Sequence, residues 1–116
     1  MLSDRKNRKC LFLIIDSLRE EKDYDTLRQF SRDIETVAVV SSSRIRYERM
    51  AKRRRKGDPL SWEEFLLLEQ KEMRLGVENL IKSAGYVVRN EDNLDEFRRK
   101  SLKVMNKLVD KYHLLI

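Results

Sequence analysis

The sequence predicts an α/β domain: a small three-stranded parallel sheet with flanking helices, in the order β-α-β-α-loop-α-β-α. Three observations carry this. Cys10–Ile15 (CLFLII) and Val37–Val40 (VAVV) are short continuous apolar runs closed by polar residues, the pattern of strands buried on both faces. Tyr86–Val88, closing at Asn90, is a third and shorter run. The stretches between them show helical spacing, and strands alternating with helices call for a parallel sheet with right-handed crossovers. Three strands make a small sheet, which reads as one half of a larger one.

The elements follow from local chemistry. Residues 1–9 read as a basic lead-in, disordered or loosely docked, and residues 10–116 as a single domain. Glu20–Ser31 is polar with Tyr24, Leu27 and Phe30 at three-residue spacing, which suits a helix. Ser41–Ser43 offer a cap for a helix beginning near Arg44, and Gly57-Asp58-Pro59 ends it. Ser61 with Glu64 three residues on forms a capping box. From Trp62 to Ala84 an apolar stripe runs along one helical face, with Glu69 and Gly76 as its odd members. A carboxylate on such a face wants a partner, and a glycine there points to close approach of another backbone. The last helix is expected from about Asn93 to Lys111, with Leu94, Phe97, Ser101, Met105, Leu108 and Tyr112 as its stripe.

Composition bounds the function without supplying it. The 116 residues, net charge +6, include 3 Gly, 1 Pro and 1 Cys, which excludes collagen-like, low-complexity and disulfide-framework proteins. No apolar run approaches the roughly 18 residues of a membrane span, and Cys10–Ile15 is too short and too closely flanked by charge for a secretory signal. A reducing cytoplasm is therefore expected. The positive charge is concentrated in Arg44–Lys56 (RIRYERMAKRRRK), with a smaller cluster at Arg5–Lys9. Such a segment attracts polyanions, and it equally suits a solvated helix face with a loop.

Most site chemistries are missing. There is no phosphate-binding G-x-x-x-x-G-K-[ST] loop and no G-x-G-x-x-G. One His and one Cys cannot build a zinc site, so His113 and Cys10 read as packing residues. The informative constellation is Arg46, Arg49, Arg53 and Arg55, followed by Gly57-Asp58-Pro59. Positions 46, 49 and 53 share a helix face, and converging guanidinium groups make a bidentate phosphate clamp. Asp16 and Arg19, Ser41–Ser43, and Asn90 lie just past the ends of the three expected strands, where open parallel sheets bind ligands.

Those residues carry a resemblance. IIDSLREE (Ile14–Glu21), VAVVSSSRIRYERMAKRRRKGDP (Val37–Pro59), SWEEFLLLEQKEMRLGVENLI (Ser61–Ile81) and SAGYVVRNEDNLDEF (Ser83–Phe97) resemble the C-terminal part of archaeal P-loop kinases of the adenylate kinase-like and dephospho-CoA kinase-like group. The match covers about three-quarters of the chain. It implies that Asp16 and Arg19 close the first strand, and that Arg46, Arg49, Arg53 and Arg55 belong to a lid (residues 44–60) over nucleotide phosphates. It further places Glu69 and Glu72 on the crevice side of the long helix and Asn90 near the base. The departures are equally plain: the strand–phosphate-loop–helix unit has no counterpart, and Gly57, Leu68-Glu69 and Gly85 stand where acids or an Arg-Asp pair are usual.

Without the phosphate loop, the β/γ-phosphates lose their N–H cradle, their Lys and the Mg²⁺-binding hydroxyl. The expectation is a kinase-like nucleotide- or phosphate-binding domain that is not catalytically competent alone: a fragment, a split half or a decayed copy. ATP is the candidate cofactor, Mg²⁺ is not expected to be held, and no residue is assigned a catalytic role. An exposed sheet edge would favour a homodimer or a complementing chain bearing the phosphate loop. The alternatives are a small basic nucleic-acid-binding protein, with salt-labile affinity, and an interaction module without a ligand.

Overall fold

The structure, a computed structural model, describes residues 13–112. Its order is α1 (Glu21–Phe30), β1 (Val37–Val40), α2 (Ser43–Arg53), α3 (Trp62–Arg74), α4 (Val77–Ser83), β2 (Tyr86–Arg89) and α5 (Leu94–Tyr112). β1 and β2 pair in parallel, Val37 opposite Tyr86 and Val40 opposite Arg89. Asn90 N–H extends the ladder to the Val40 carbonyl at 2.8 Å.

The sheet has two strands among the described residues, and the expected three-stranded sheet is corrected accordingly. Of the run expected as its first strand, Cys10–Phe12 lie outside the described residues, as do the lead-in 1–9 and His113. Leu13, Ile14 and Ile15 form no ladder and are 65%, 70% and 53% exposed. The physical reason is that apolar content does not hold a parallel strand by itself. It needs a neighbour for its backbone and cover on both faces. Among the described residues, Leu13–Ile15 have neither.

Caps fix the helix starts. Ser42 accepts from Ile45 N–H at 3.4 Å and opens α2, which closes at Arg54 in a left-handed conformation (φ 47°). Ser61 Oγ accepts from Glu64 N–H at 3.2 Å, and Glu64 Oε2 accepts from Leu60 N–H at 2.8 Å, a reciprocal cap for α3. Asn93 Oδ1 accepts from Glu96 N–H at 2.9 Å at the start of α5.

The stripe from Trp62 to Ala84 is divided between two helices. Gly76 breaks it with φ 94°, a conformation that favours glycine. A Cβ there would lie 2.7 Å from Glu21 Cβ, because the start of α1 crosses at this point. Glu21 N–H donates to the Leu75 carbonyl at 3.1 Å, and Asn79 Nδ2 donates to Glu21 Oε2 at 3.0 Å. The glycine thus admits α1 and turns the chain into α4.

Fully buried apolar side chains are few among the described residues: Phe65 and Val88. α5 packs on β2, α3 on α4, and α1 on α4. The far end of α5 is tied to the entry of β1, where Lys111 pairs with Glu35 and Tyr112 Oη donates to Glu35 Oε1 at 2.7 Å. The Lys111 ammonium and then the Tyr112 hydroxyl hold the Glu35 carboxyl below the ordinary glutamate range. No helix of the described residues is long and apolar enough to cross a membrane.

Candidate functional site

The carboxyl ends of β1 and β2 open toward the start of α2. The backbone leaves β1 through Ser41 and Ser42 and turns at once into that helix, so its first two turns lie across both strand ends. Arginines make the attachment. Arg46 Nε donates to the Ser41 carbonyl at 3.1 Å, just past β1. Arg49 donates to the Asn90 carbonyl at 2.6 Å, just past β2. Asn90 therefore joins the site through its backbone.

α3 closes the other side. Glu69, a carboxylate on an otherwise apolar stripe, pairs with Arg46 and accepts from Ser43 Oγ at 2.9 Å. Its Oε1 is enclosed and meets only the Arg46 guanidinium. Arg46 also donates to Ser43 Oγ at 3.1 Å. Around this polar knot stand Tyr47, Trp62 and Phe65, with centroid separations of 5.5 to 5.6 Å. Arg44 lies over Trp62 at 5.1 Å and Arg46 over Phe65 at 5.7 Å, placing guanidinium groups on negative ring faces.

Arg53 braces the turn after α2 through two hydrogen bonds to Asp58, each 3.0 Å. Arg53, helped by the Arg55 backbone N–H, holds the Asp58 carboxyl below the ordinary aspartate range. The Arg55 side chain is exposed and makes no hydrogen bond or ion pair among the described residues, and the same holds for Lys52, Arg54 and Lys56 beside it. The four arginines expected as a phosphate clamp thus differ in state. Arg46, Arg49 and Arg53 hold the chain together, and Arg55 is turned to solvent.

The remaining expected residues are placed less closely. Glu72 is half-buried one turn beyond Glu69 on α3. Asp16 is exposed and accepts from Ser17 N–H at 2.7 Å, and Arg19 is exposed. No hydrogen bond or ion pair joins Asp16 or Arg19 to α2 or α3 among the described residues. No group of three His, Cys, Asp or Glu that could hold a metal ion occurs among the described residues.

No family model matches the chain. It is similar to UPF0200 proteins. It shares 32% identity over 99 residues with one from Pyrococcus abyssi, covering 84% of this chain and 53% of that protein. A second, from Pyrococcus furiosus, is 30% identical over 116 residues, covering 95% of this chain and 62% of the relative. A third, from Thermococcus sibiricus, is 42% identical over 72 residues, or 62% of this chain and 38% of the relative. These relatives are archaeal. The chain spans about half the length of the curated relatives it matches.

Several participants were not legible as site residues. Ser43 reads as one cap among three serines, and Asp58 as part of a turn. Both became visible only once the helix and its loop folded back. A cationic cleft of about 490 Å³ between β2 and α5, lined by Arg89, Arg99, Lys100, Lys103 and Lys107, was also missed. Its signal was present: positions 99, 103 and 107 recur at helical spacing.

Proposed function

We propose that the chain is a nucleotide- or polyphosphate-binding part of a kinase-like protein, one that does not transfer phosphate by itself. The observation that supports this best is the placement of α2. Arg46 and Arg49 anchor it across the carboxyl ends of two parallel strands, at 3.1 and 2.6 Å from the Ser41 and Asn90 carbonyls. Open parallel sheets bind ligands at that end. The helix then delivers Arg54, Arg55 and Lys56 into an exposed turn whose two ends are tied together by the Arg53–Asp58 pair. Cations on a braced turn suit phosphate oxygens, which accept bidentate donors.

In this reading Arg46, Arg49 and Arg53 are positioning residues and Arg55 is the residue that meets phosphate. The described residues contain neither a backbone cradle for a β/γ-phosphate nor a nucleophile with its base, so binding without turnover is the expected behaviour. Calorimetric titration with ATP, and with tripolyphosphate as control, at two salt concentrations tests it. Binding of ATP that exceeds tripolyphosphate and persists in the higher salt supports a nucleotide site. Equal and salt-labile binding of both reduces the turn to a generic cationic patch, and no binding refutes the proposal.

A further inference from the structure

Among the described residues, the cleft of about 490 Å³ between β2 and α5 is lined by no residue of β1 and by no acid. Arg89, Arg99, Lys100, Lys103 and Lys107 supply its charge, and Val87, Val88 and Val104 its apolar surface. The cations are not equally committed. Arg89 pairs with Glu91, Arg99 with Glu96 and Lys100 with Asp92. Lys103 and Lys107 are exposed and form no ion pair among the described residues. They stand four residues apart, so they share a face of α5 with about 6 Å between them along its axis.

The strand beside them keeps open backbone groups. Tyr86 and Asn90 donate to Thr36 and Val40, so the even positions of β2 face β1. By alternation, Val87 and Arg89 turn their N–H and C=O away from β1. Lys100 Nζ takes the Arg89 carbonyl at 3.4 Å. The Val87 N–H and C=O and the Arg89 N–H make no hydrogen bond among the described residues. Lysines along an edge ordinarily deter strand pairing. They deter a neutral or basic strand, whereas for an acidic one the same charges attract, which makes the edge selective.

We infer that the outer edge of β2 takes an extended acidic segment of a partner protein, in which carboxylates alternate with apolar side chains. Alternate residues of a strand stand about 6.6 Å apart, close to the lysine spacing, so one carboxylate meets Lys103 and the next Lys107. The apolar residues between them lie along the other face of the sheet, beside Val87, which is 53% exposed. The partner's backbone pairs with the open groups of Val87 and Arg89. Nucleic acid fits less well, because no aromatic side chain lines the cleft to stack a base and a phosphate backbone makes no use of Val87. The chain's own ends lack the charge: residues 1–12 hold four basic residues and one acid, the run Cys10–Ile15 holds no acid, and residues 113–116 hold none. A second copy offers no acidic strand either, since neither β1 nor β2 contains an acid. The inference concerns this edge alone and stands apart from phosphate binding.

The probe is a fluorescein-labelled peptide, Glu-Val-Glu-Val-Glu-Val, followed by anisotropy at physiological salt without nucleotide. It should bind at least about fivefold more tightly than Glu-Glu-Glu-Val-Val-Val, which has the same composition without the alternation. Amide exchange at Val87 and Arg89 should slow when it binds. Lys103→Glu and Lys107→Glu should each weaken binding at least about fivefold while the helical circular dichroism persists. Lys71→Glu, the same change of charge on α3, should leave it unaltered. Equal affinity for the two peptides would reduce the cleft to a generic cationic patch, and preference for oligodeoxythymidylate would assign it to nucleic acid. Either result, absence of binding, or unslowed exchange at Val87 and Arg89 would overturn the proposal. Because no phosphate enters the peptide assay, failure here leaves the titration of the preceding section unaffected.

Discussion

Glu69→Gln tests whether the half-buried Arg46–Glu69 pair, rather than the apolar stripe, fixes α3 to α2. Glu69 is 14% exposed and Arg46 39% exposed, so the pair is half screened and its contribution is discounted from that of a dry one. Glutamine keeps an acceptor for Ser43 Oγ, and Arg46 keeps the Ser41 carbonyl and Ser43 Oγ. What is lost is the charge-assisted part of one contact, and an amide N–H₂ group is set against a guanidinium. That amounts to about 1–2 kcal/mol. For a domain of about 100 residues the thermal midpoint should fall by about 5–10 °C. Circular dichroism melts of wild type, E69Q, R46M and the double variant give the coupling directly, expected near 1 kcal/mol. A coupling within about 0.3 kcal/mol of zero would refute the reasoning, since additivity of that quality marks independent sites.

Three further outcomes are expected. Gly76→Ala should destabilise by at least about 1–2 kcal/mol from its left-handed backbone alone, more once Glu21 is displaced, as read from urea unfolding. Arg55→Ala should weaken tripolyphosphate binding several-fold with an unchanged melting temperature, whereas Arg49→Ala should lower the melting temperature, because Arg49 holds the Asn90 carbonyl. The carboxyls of Glu35, Asp58 and Glu96 sit below their ordinary ranges beside Lys111, Arg53 and Arg99 respectively. Their stabilisation is therefore complete above the unfolded carboxylate range and is lost as pH falls through the lowered folded values. Urea midpoints should be level from neutral pH to about pH 5 and fall below about pH 4.

Three helix starts were legible because they are decided locally, whereas the break between α3 and α4 at Gly76 was not. Ser42, Ser61 and Asn93 cap through a hydroxyl or amide reaching three residues along the chain, and that spacing is written in the sequence. The parallel pairing of Val37–Val40 with Tyr86–Arg89 was legible from two apolar runs separated by helical segments. Cys10–Ile15 carries the same local signal, yet its described part forms no strand. Burial on both faces is a property of neighbours, and the sequence of a run cannot state whether they are there. The arginines show the same limit. Spacing puts Arg46, Arg49 and Arg53 on one face, but only the fold shows that Glu69, the Asn90 carbonyl and Asp58 occupy their donors.

The edge of β2 and the candidate phosphate site meet at one place, and this makes them jointly testable. Arg49 of α2 holds the Asn90 carbonyl, while Lys100 of α5 takes the Arg89 carbonyl one residue earlier and pairs with Asp92. A strand paired with Val87 and Arg89 would fix the carboxyl end of β2, and with it the carbonyl on which α2 is anchored. Repulsion between the two anions opposes this and is screened at physiological salt. If both proposals hold, the alternating peptide should tighten tripolyphosphate binding, and tripolyphosphate should tighten peptide binding by the same factor, since coupling between two binding events is reciprocal. A coupling of about 1 kcal/mol, roughly fivefold, is the expected size. Calorimetry of tripolyphosphate with and without the peptide measures one side, and peptide anisotropy with and without tripolyphosphate measures the other. Equal affinities on both sides would separate the edge from the crevice. They would leave β2 as a docking strand and the cations after α2 as a site complete in itself.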